Sequence, residues 1–380
     1  MKRNLLLTPG PTQVPPRILQ ALGRPIIHHR TPKFQEYLKE AVAGLQEVFQ
    51  TRNDVYILAG SGTAAMEASV CNLLSAGDKA VTVEAGKFGE RWTEICKAYG
   101  VNAHAMKVAN GKDVDPAQLR SVLAADKDIK TVFITLTETS TGVTADVEAI
   151  GKIVKETNAV LVVDAVSGLG VTDLKSDAWS VDIVASASHK GLMLPPGLAF
   201  VSVSAKAFAM IEKNATPRYY FDLRKYKKAA AKTDTPFTPA IGLVIALVDA
   251  LKMVKESGLE NLFAHYARLA KGTRAAANAL GLKLLADETC ISNVVTPILL
   301  PEGVDGEKVV KRMRDTYGIS VAGGQGEDLK GKIIRIAHMG SLDEYDIIAG
   351  ISCLEKVLKE MGHSFTLGAG VSAAQKHFNS

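Results

Sequence analysis

Short apolar runs alternate with helical patterns through the middle of this 380-residue chain, and this alternation constrains the fold more than any other feature. Runs typical of strands occur at 54–60, 79–86, 101–108, 130–138, 159–166, 181–188 and 198–204. Continuous apolar strands separated by helices favour a mainly parallel sheet with both faces covered. We therefore expect an α/β fold with a seven-stranded sheet. The last two runs are too close for a helical crossover, so we expect them to pair antiparallel.

The pattern changes after about residue 205. Long helical patterns, including FTPAIGLVIALVDALKMVKESG, precede two strand-like segments, SNVVTPILLP and KIIRIAHMG, and a closing helix. This order is typical of a smaller α+β unit. We predict an N-terminal arm at 1–22, a large domain at 23–253 and a small C-terminal domain at 254–380.

Composition argues against several classes of protein. The net charge is only +5 and no basic stripe carries interleaved aromatic residues, so we expect no nucleic-acid partner. The four cysteines (Cys71, Cys96, Cys290 and Cys353) are far apart, which favours reduced thiols over disulfides or a metal site. No apolar run reaches the roughly 18 residues that a membrane helix needs. We therefore expect a soluble, cytoplasmic protein without metal ligands or membrane contact.

The turn AGSGTAAMEA leads from the first of these strands directly into a helix. Ser61, Gly62 and Thr63 would present backbone N–H and hydroxyl groups at the helix N-terminus, where a phosphate group binds readily. The same residues also suit an ordinary tight turn between a strand and a helix. The turn is neither a GxGxxG loop nor a Walker A loop.

Charged and polar residues follow several of the predicted strands. Asp164 ends the run VLVV, where a carboxylate is costly without a partner, although it could also cap a helix or form a salt bridge. Lys190 comes 26 residues later, which leaves room for one crossover between neighbouring strands. It is either a solvated turn lysine or a covalent anchor for a cofactor. The hydroxyls of Thr139, Ser140 and Thr141 end another strand and also suit a solvated loop.

A phosphate-binding turn, a strand-end aspartate and a strand-end lysine together match one cofactor, pyridoxal 5′-phosphate (PLP). A lysine can hold PLP as a Schiff base. A carboxylate keeps the pyridine nitrogen protonated, so that the ring withdraws electrons from the substrate Cα. The combination therefore indicates a PLP enzyme.

The chain also resembles the class V aminotransferases of fold type I, in particular the alanine–glyoxylate and serine–pyruvate aminotransferase group. The resemblance covers nearly the whole chain. It rests on seven segments in this order: LLTPGPTQVPP, AGSGTAAMEA, ETSTGV, VVDAVSGLG, SASHKGLMLPPG, TPFTPAIG and IIRIAHMG. It implies the PLP-dependent transferase fold type I, with PLP bound in the large domain.

The resemblance implies roles for individual residues around the ring of PLP. Lys190 would form the Schiff base, and Asp164 would pair with the pyridine nitrogen. Phe88 would stack on the ring, with Trp92 as the less favoured alternative. Thr139 would bond to the 3′-oxygen of the cofactor.

The resemblance also implies the ligands of the cofactor phosphate. The turn at 61–63 would bind it, together with His189. His189 stands where many relatives have a glutamine, and an imidazole can still donate although its charge depends on pH. Thr238 or its neighbour Thr235 would reach the phosphate in a second subunit, so a homodimer with shared active sites is expected.

Two residues are implied to bind the substrate. Arg335 in IIRIAHMG would grip its carboxylate, and Gly10 in the N-terminal arm would line the site. An arginine in an apolar strand also suits a structural ion pair with a carboxylate of the large domain. The sequence leaves these two interpretations of Arg335 open.

The implied activity is transfer of an amino group from alanine or serine to glyoxylate or pyruvate. One alternative is another class V PLP enzyme, such as a cysteine desulfurase or lyase with Cys290 or Cys353 as nucleophile. A second alternative is an aminotransferase with aspartate, ureidoglycine or aminoethylphosphonate as donor. The joint presence of Lys190, Asp164 and Arg335 argues against a non-catalytic scaffold.

Overall fold

A computed structural model describes residues 4–379. In chain order, the first part contains β1 (Leu5–Leu6), α1 (Pro16–Leu22), α2 (Pro32–Phe49), β2 (Asp54–Gly60), α3 (Gly62–Leu73), β3 (Lys79–Glu84), α4 (Lys87–Ala98), β4 (Asn102–Lys107), α5 (Pro116–Ala125), β5 (Ile129–Thr135), β6 (Thr137–Glu138), β7 (Val143–Thr144), α6 (Val147–Lys155), β8 (Val160–Asp164), β9 (Ile183–Ala187), β10 (Gly197–Val203), α7 (Ala205–Lys213), α8 (Leu223–Ala230) and α9 (Ile241–Ser257). The second part contains α10 (Leu259–Ala279), β11 (Lys283–Leu284), β12 (Val295–Leu299), α11 (Gly306–Tyr317), β13 (Ile319–Ser320), β14 (Ala322–Gly323), α12 (Gly326–Leu329), β15 (Ile333–Ala337), α13 (Glu344–Glu360) and α14 (Ala369–Phe378).

The large sheet has seven strands in the order β2-β10-β9-β8-β5-β3-β4. Only β10 runs against the others, and it pairs antiparallel with both β2 and β9. This arrangement confirms the predicted α/β fold with a mainly parallel seven-stranded sheet. It also confirms the antiparallel pairing of the last two strands, because the nine residues between β9 and β10 contain no crossover helix.

Both faces of this sheet are buried, which explains its continuous apolar runs. In β8, Val160 and Val162 pack into a core that includes α3, α4 and α7. The alternate residues Leu161 and Val163 pack into a second core that includes α2, α5, α6 and α9. Because successive side chains of a strand point to opposite faces, a central strand such as β8 needs apolar residues at nearly every position.

The second part of the chain forms a four-stranded sheet in the order β11-β12-β15-β14, and its strand pairs are antiparallel. The N-terminal arm joins this part through β1, where Leu5 pairs in parallel with Ile319 of β13. The predicted boundary between 253 and 254 falls inside α9, whose Val254 still packs into the core of the large domain. The chain turns at Gly258, between α9 and α10, with a φ of 78° that favours glycine.

Within residues 4–379, the structure contains no helix that combines the length and the apolar character needed to cross a membrane.

Candidate active site

The carboxyl ends of the parallel strands β2, β8 and β9 meet at one edge of the large sheet, where open α/β sheets bind their ligands. A cleft with a volume of about 90 Å³ opens at this edge. Its lining residues are Ser61, Gly62, Thr63, Met66, Phe88, Arg91, Thr137, Asp164, Val166, Ser167, His189 and Lys190. The structure thus brings together seven of the residues singled out in the sequence.

Lys190 lies at the base of the cleft, just beyond β9, and only 8% of its surface is exposed. Its Nζ donates a hydrogen bond to the carbonyl oxygen of Pro9 in the N-terminal arm. Burial lowers the pKa of Lys190 to about 8, the Asp164 carboxylate opposes this change, and Arg335 and Arg91 add to it. A substantial fraction of this amine is therefore neutral, and hence nucleophilic, near physiological pH.

Asp164 is the last residue of β8 and is almost fully buried. Its Oδ1 accepts a hydrogen bond from the backbone N–H of Val166 at 2.8 Å. Burial raises the pKa of Asp164 to about 6, with Glu138 adding to the rise and Lys190 opposing it. A buried carboxylate with this environment is stabilised when a cationic group binds beside it.

The turn at 61–63 forms the start of α3. Ser61 is the N-cap residue, yet its side chain makes no capping hydrogen bond. The first N–H groups of α3 and the Ser61 hydroxyl are therefore available for an anion at the helix N-terminus. Gly62 allows α3 to approach the segment after β8, because a Cβ there would lie 2.5 Å from Cγ2 of Val166.

The structure separates the two aromatic candidates. Phe88 lies in the first turn of α4 and lines the cleft. Trp92 is fully buried in the core, where it stacks on Phe133 with ring centroids 4.7 Å apart. Phe88 is therefore the aromatic residue that can face a bound ring.

Several buried polar atoms around the cleft have no hydrogen-bond partner within the described residues: Oγ1 of Thr137, Oγ1 of Thr139 and Nδ1 of His189. Burial lowers the pKa of His189 to about 4, helped by the Lys190 charge, so its imidazole is neutral at pH 7. Unpartnered buried polar atoms are costly and point to a polar ligand. Together with the helix N-terminus, the aspartate and the lysine, they fit PLP.

Arg335 lies in the middle of β15 and is buried. Its Nε donates to the carbonyl of Gly323 at 2.8 Å, and its Nη1 donates to the carbonyl of Thr139 at 2.9 Å. Burial lowers the pKa of Arg335 to about 10, and the Glu138 carboxylate opposes the change. Nη2 has no protein partner among residues 4–379. The guanidinium is thus held by two carbonyls and forms no ion pair, which leaves it a free edge for a carboxylate.

Gly10 packs directly against the Lys190 side chain, and a Cβ at Gly10 would overlap it. The arm is fixed here, because Thr12 donates its hydroxyl to the Lys190 carbonyl at 3.0 Å. Gly10 has a φ of 119°, a conformation that other residues rarely adopt. A glycine therefore lets the arm run close to Lys190.

Thr139, Arg335 and Gly10 do not line this cleft, although Gly10 packs against Lys190 and Arg335 is bonded to the Thr139 carbonyl. Four further candidates, two threonines and two cysteines, also lie outside it. The Thr235 hydroxyl donates to the carbonyl of Phe237 at 2.8 Å, whereas Thr238 is exposed. Neither lines the cleft of its own chain. Burial raises the pKa of Cys353 to about 11 and also raises the pKa of Cys290, and neither thiol lines the cleft.

Sequence reasoning missed three residues of this region: Thr137, Arg91 and Glu138. Thr137 and Arg91 line the cleft, and Arg91 lies one helical turn after Phe88, with its guanidinium carbon 4.9 Å from the Phe88 ring centroid. That i, i+3 spacing in KFGER is a signal that could have identified Arg91. Glu138 is fully buried directly before the hydroxyl-rich turn. The signal that could have identified Glu138 is its position as a glutamate at the end of an apolar strand.

Comparison with known proteins gives a consistent result. The profile of the family described as Aminotransferase class-V matches residues 5–328. The chain is 46% identical over 378 residues to a protein of Synechococcus sp. (strain PCC 6716) named "Soluble hydrogenase, small subunit", with 98% of each chain covered. It is 37% identical over 382 residues to the L-aspartate–glyoxylate aminotransferase of Paracoccus denitrificans (strain Pd 1222), covering 99% of this chain and 96% of that protein.

Similarity in structure is equally extensive. The crystal structure of the ureidoglycine–glyoxylate aminotransferase of Bacillus subtilis matches this chain with a TM-score of 0.96 at 29% identity. The match covers 100% of this chain and 99% of that chain. The cleft described above therefore lies in a fold that is shared over its whole length.

Proposed function

This chain belongs to the class V aminotransferases and is a PLP-dependent enzyme, and we propose that it transfers the amino group of a small amino acid to glyoxylate. The products would be the 2-oxo acid of the donor and glycine. Glyoxylate is the acceptor because two relatives with different donors, L-aspartate and ureidoglycine, both have glyoxylate in their names. Alanine and serine are the donors that the sequence motifs favour.

One observation carries this proposal: Lys190 is buried close enough to Asp164 and Arg335 for both charges to act on its amine. The amine is partly neutral, and within residues 4–379 Asp164 forms no salt bridge and Arg335 bonds only to backbone carbonyls. A cofactor with a cationic ring nitrogen would pair with Asp164, and a substrate with a carboxylate would pair with Arg335.

Each residue has a defined task in this reaction. Lys190 would hold PLP, and its amine would take the proton from the substrate Cα. Asp164 would keep the pyridine nitrogen protonated. The turn at 61–63 and the neutral His189 would donate to the phosphate. PLP itself supplies an electron-withdrawing ring that stabilises negative charge at the substrate Cα.

Arg335 binds the carboxylate that donor and acceptor share. The planar guanidinium suits a bidentate contact, and the carbonyls of Gly323 and Thr139 fix its orientation beforehand. One clamp can therefore serve both halves of the reaction.

Aspartate is a second candidate donor, and Arg91 is the observation that favours it. Arg91 lines the cleft and its Nη1 donates only to the Thr63 hydroxyl, at 3.3 Å, so its charge has no acidic partner among residues 4–379. An acidic substrate side chain would provide one. The name of the Paracoccus relative supports this possibility.

The Synechococcus relative carries the name of a hydrogenase subunit. No observation on this chain supports hydrogenase activity in the way that Arg91 supports an acidic donor. Within the part of the chain that the structure describes, no group of three or more His, Cys, Asp or Glu side chains is placed to hold a metal ion. The raised thiol pKa values of Cys290 and Cys353 likewise give no support for a desulfurase, which needs a nucleophilic thiolate.

The proposed assembly is a homodimer. Thr238 is exposed, and Tyr219, whose ring contacts Phe237 directly before it, is 75% exposed. If a second copy of the chain covers this surface, Thr238 of the first copy would lie beside the cleft of the second. A monomer with full activity on a sizing column would contradict this assembly.

The experiment that tests the proposed reaction is a screen of half-reactions. The PLP form of the protein is mixed separately with alanine, serine, aspartate and cysteine, and its visible absorbance is followed. We expect loss of the visible band with at least one of the first three, and its recovery with glyoxylate faster than with pyruvate. Recovery with neither oxo acid, or sulfide release from cysteine, would contradict the proposal.

A further inference from the structure

Glu138 is a buried carboxylate with an unusual set of partners, and only 1% of its surface is exposed. Its Oε2 accepts the backbone N–H groups of Phe88 and Gly89, both at 2.9 Å. Its Oε1 accepts the backbone N–H of Ser140 at 3.1 Å and the Ser140 hydroxyl at 2.6 Å. All four partners are donors, so the arrangement is complete only with an ionised carboxylate.

Glu138 and Ser140 together cap α4 from another part of the chain. The Ser140 Oγ accepts the N–H of Lys87 at 3.0 Å, so the first three N–H groups of α4 are all satisfied by the segment after β5. The helix has no cap of its own, because Gly86 precedes it. A Cβ at Gly86 would lie 2.7 Å from Cγ of Glu138, so a glycine is required for this close approach.

This cap connects the two ends of the cleft. On one side, α4 carries Phe88 and Arg91, which line the cleft. On the other side, Glu138 leads into Thr139, whose carbonyl accepts Nη1 of Arg335. A displacement of the Glu138 carboxylate would therefore displace both the Phe88 ring and the Thr139 carbonyl that holds Arg335.

We infer that Glu138 is a positioning residue that sets Phe88 at the cofactor and Arg335 at the substrate carboxylate through a single buried cap. It does not line the cleft, so it acts through these neighbours. The inference rests on the proposed function, because it takes the cleft as the site for PLP and for a carboxylate substrate.

The chain contains a matched control for this inference. Glu355 is also buried, at 2% exposure, and also caps a helix from a distance. Its Oε2 accepts the N–H of Gly368 at 2.6 Å and its Oε1 accepts the N–H of Val371 at 3.0 Å, at the start of α14. Glu355 contacts no residue of the cleft, so its loss reports the cost of removing such a cap alone.

The test compares Glu138→Gln with Glu355→Gln as PLP-loaded enzymes. The glutamine amide keeps one accepting oxygen, but its NH2 group can only donate, so in each variant one set of backbone N–H groups faces a donor instead of an acceptor. We expect both variants to melt at lower temperature. Only Glu138→Gln should change the visible circular dichroism of bound PLP. Its kcat/KM should fall about 100-fold, the effect expected of a displacement of about 1 Å at a site. Its affinity for glycolate, which offers the substrate carboxylate without an amino group, should fall as well.

Two results would overturn the inference. The first is a folded Glu138→Gln enzyme whose circular dichroism, glycolate affinity and kcat/KM stay within twofold of the parent. The second is an equal loss of all three in Glu355→Gln.

A milder variant covers the case in which Glu138→Gln does not fold. Ser140→Ala removes one donor to Glu138 and the acceptor for Lys87, and should lower kcat/KM several-fold with the same change in circular dichroism. Unchanged values in Ser140→Ala would overturn the inference. A parent enzyme that binds PLP but transfers no amino group would refute the proposed function, whereas the circular dichroism comparison would still decide the role of Glu138.

Discussion

Asp164 ends one strand of the large sheet and Lys190 follows another, whereas Arg335 belongs to the small sheet and is held beside the cleft by contacts with distant segments. The cofactor end of the cleft, defined by Lys190, Asp164 and the turn at 61–63, is built from short local motifs. The substrate end, defined by Arg335 and Gly10, is built from tertiary contacts with Thr139, Gly323 and the arm.

The two ends also differ in how their buried charged groups are held. At the cofactor end, burial raises the pKa of Asp164 to about 6 and lowers the pKa of Lys190 to about 8. At the substrate end, two carbonyls already hold Arg335 in place. Changes at the cofactor end should therefore alter the chemistry itself, whereas changes at the substrate end should alter the binding of carboxylates and leave PLP in place.

The largest effect is expected for Lys190→Ala. It removes both the covalent anchor and the base, so turnover should fall by at least about 10,000-fold. PLP should still bind through its phosphate, without the pH-dependent visible band of the parent. Turnover close to that of the parent enzyme would refute the assignment of Lys190.

Asp164→Asn should have the next largest effect. Removing one partner of a buried charge pair typically costs about 3–5 kcal/mol, which corresponds to a loss of kcat of roughly 150- to 5,000-fold. A matched control is Asp182→Asn, because Asp182 is buried in the same domain and accepts Leu161 N–H at 3.0 Å away from the cleft. A change below tenfold in Asp164→Asn, or an equal loss in the control, would mean that Asp164 is a structural acid.

Arg335→Lys tests the substrate end. An ammonium cannot replace the bidentate guanidinium, so kcat/KM should fall roughly 30- to 1,000-fold for amino acid and glyoxylate alike. This loss corresponds to about 2–4 kcal/mol of transition-state binding. PLP content and the visible spectrum should not change. Arg274→Lys is the control, since Arg274 donates to the carbonyl of Ser292 at 3.1 Å and does not line the cleft. Loss of PLP in Arg335→Lys would contradict the separation of the two ends.

The smallest effect concerns the pH dependence of PLP capture by the PLP-free protein. Only the neutral amine reacts, and with a pKa of about 8 for Lys190, roughly one amine in ten is neutral at pH 7. The lowered pKa therefore predicts a rate of covalent capture that rises about tenfold from pH 7 and levels off above about pH 8.5. A rate that keeps rising to pH 10 would indicate an ordinary lysine.

The sequence predicted the large sheet well, because strands buried on both faces leave continuous apolar runs such as VLVVD. It also predicted that Ser61, Asp164 and Lys190 would meet, since residues at the carboxyl ends of such strands share one edge of the sheet. It did not predict α14, whose N-cap is Gly368 and makes no side-chain cap. The cap of that helix comes from Glu355, 13 residues earlier in the chain.

Glu138 escaped prediction for the same reason. Its partners Phe88 and Gly89 lie 50 and 49 residues away in the chain, so no local pattern reveals the contact. The contacts of Arg335 with Thr139, 196 residues away, are likewise a product of tertiary folding. Helix caps and arginine supports supplied by distant segments are visible only in the folded chain.

The most direct test of the account is transfer of labelled nitrogen. The PLP-loaded enzyme is incubated with glyoxylate and, in separate reactions, ¹⁵N-labelled alanine, serine or aspartate, and the products are analysed by mass spectrometry. We expect ¹⁵N-glycine in amounts equal to the 2-oxo acid formed from the donor, and none with Lys190→Ala. Labelled ammonia in place of labelled glycine, or no labelled product with any of the three donors, would contradict it.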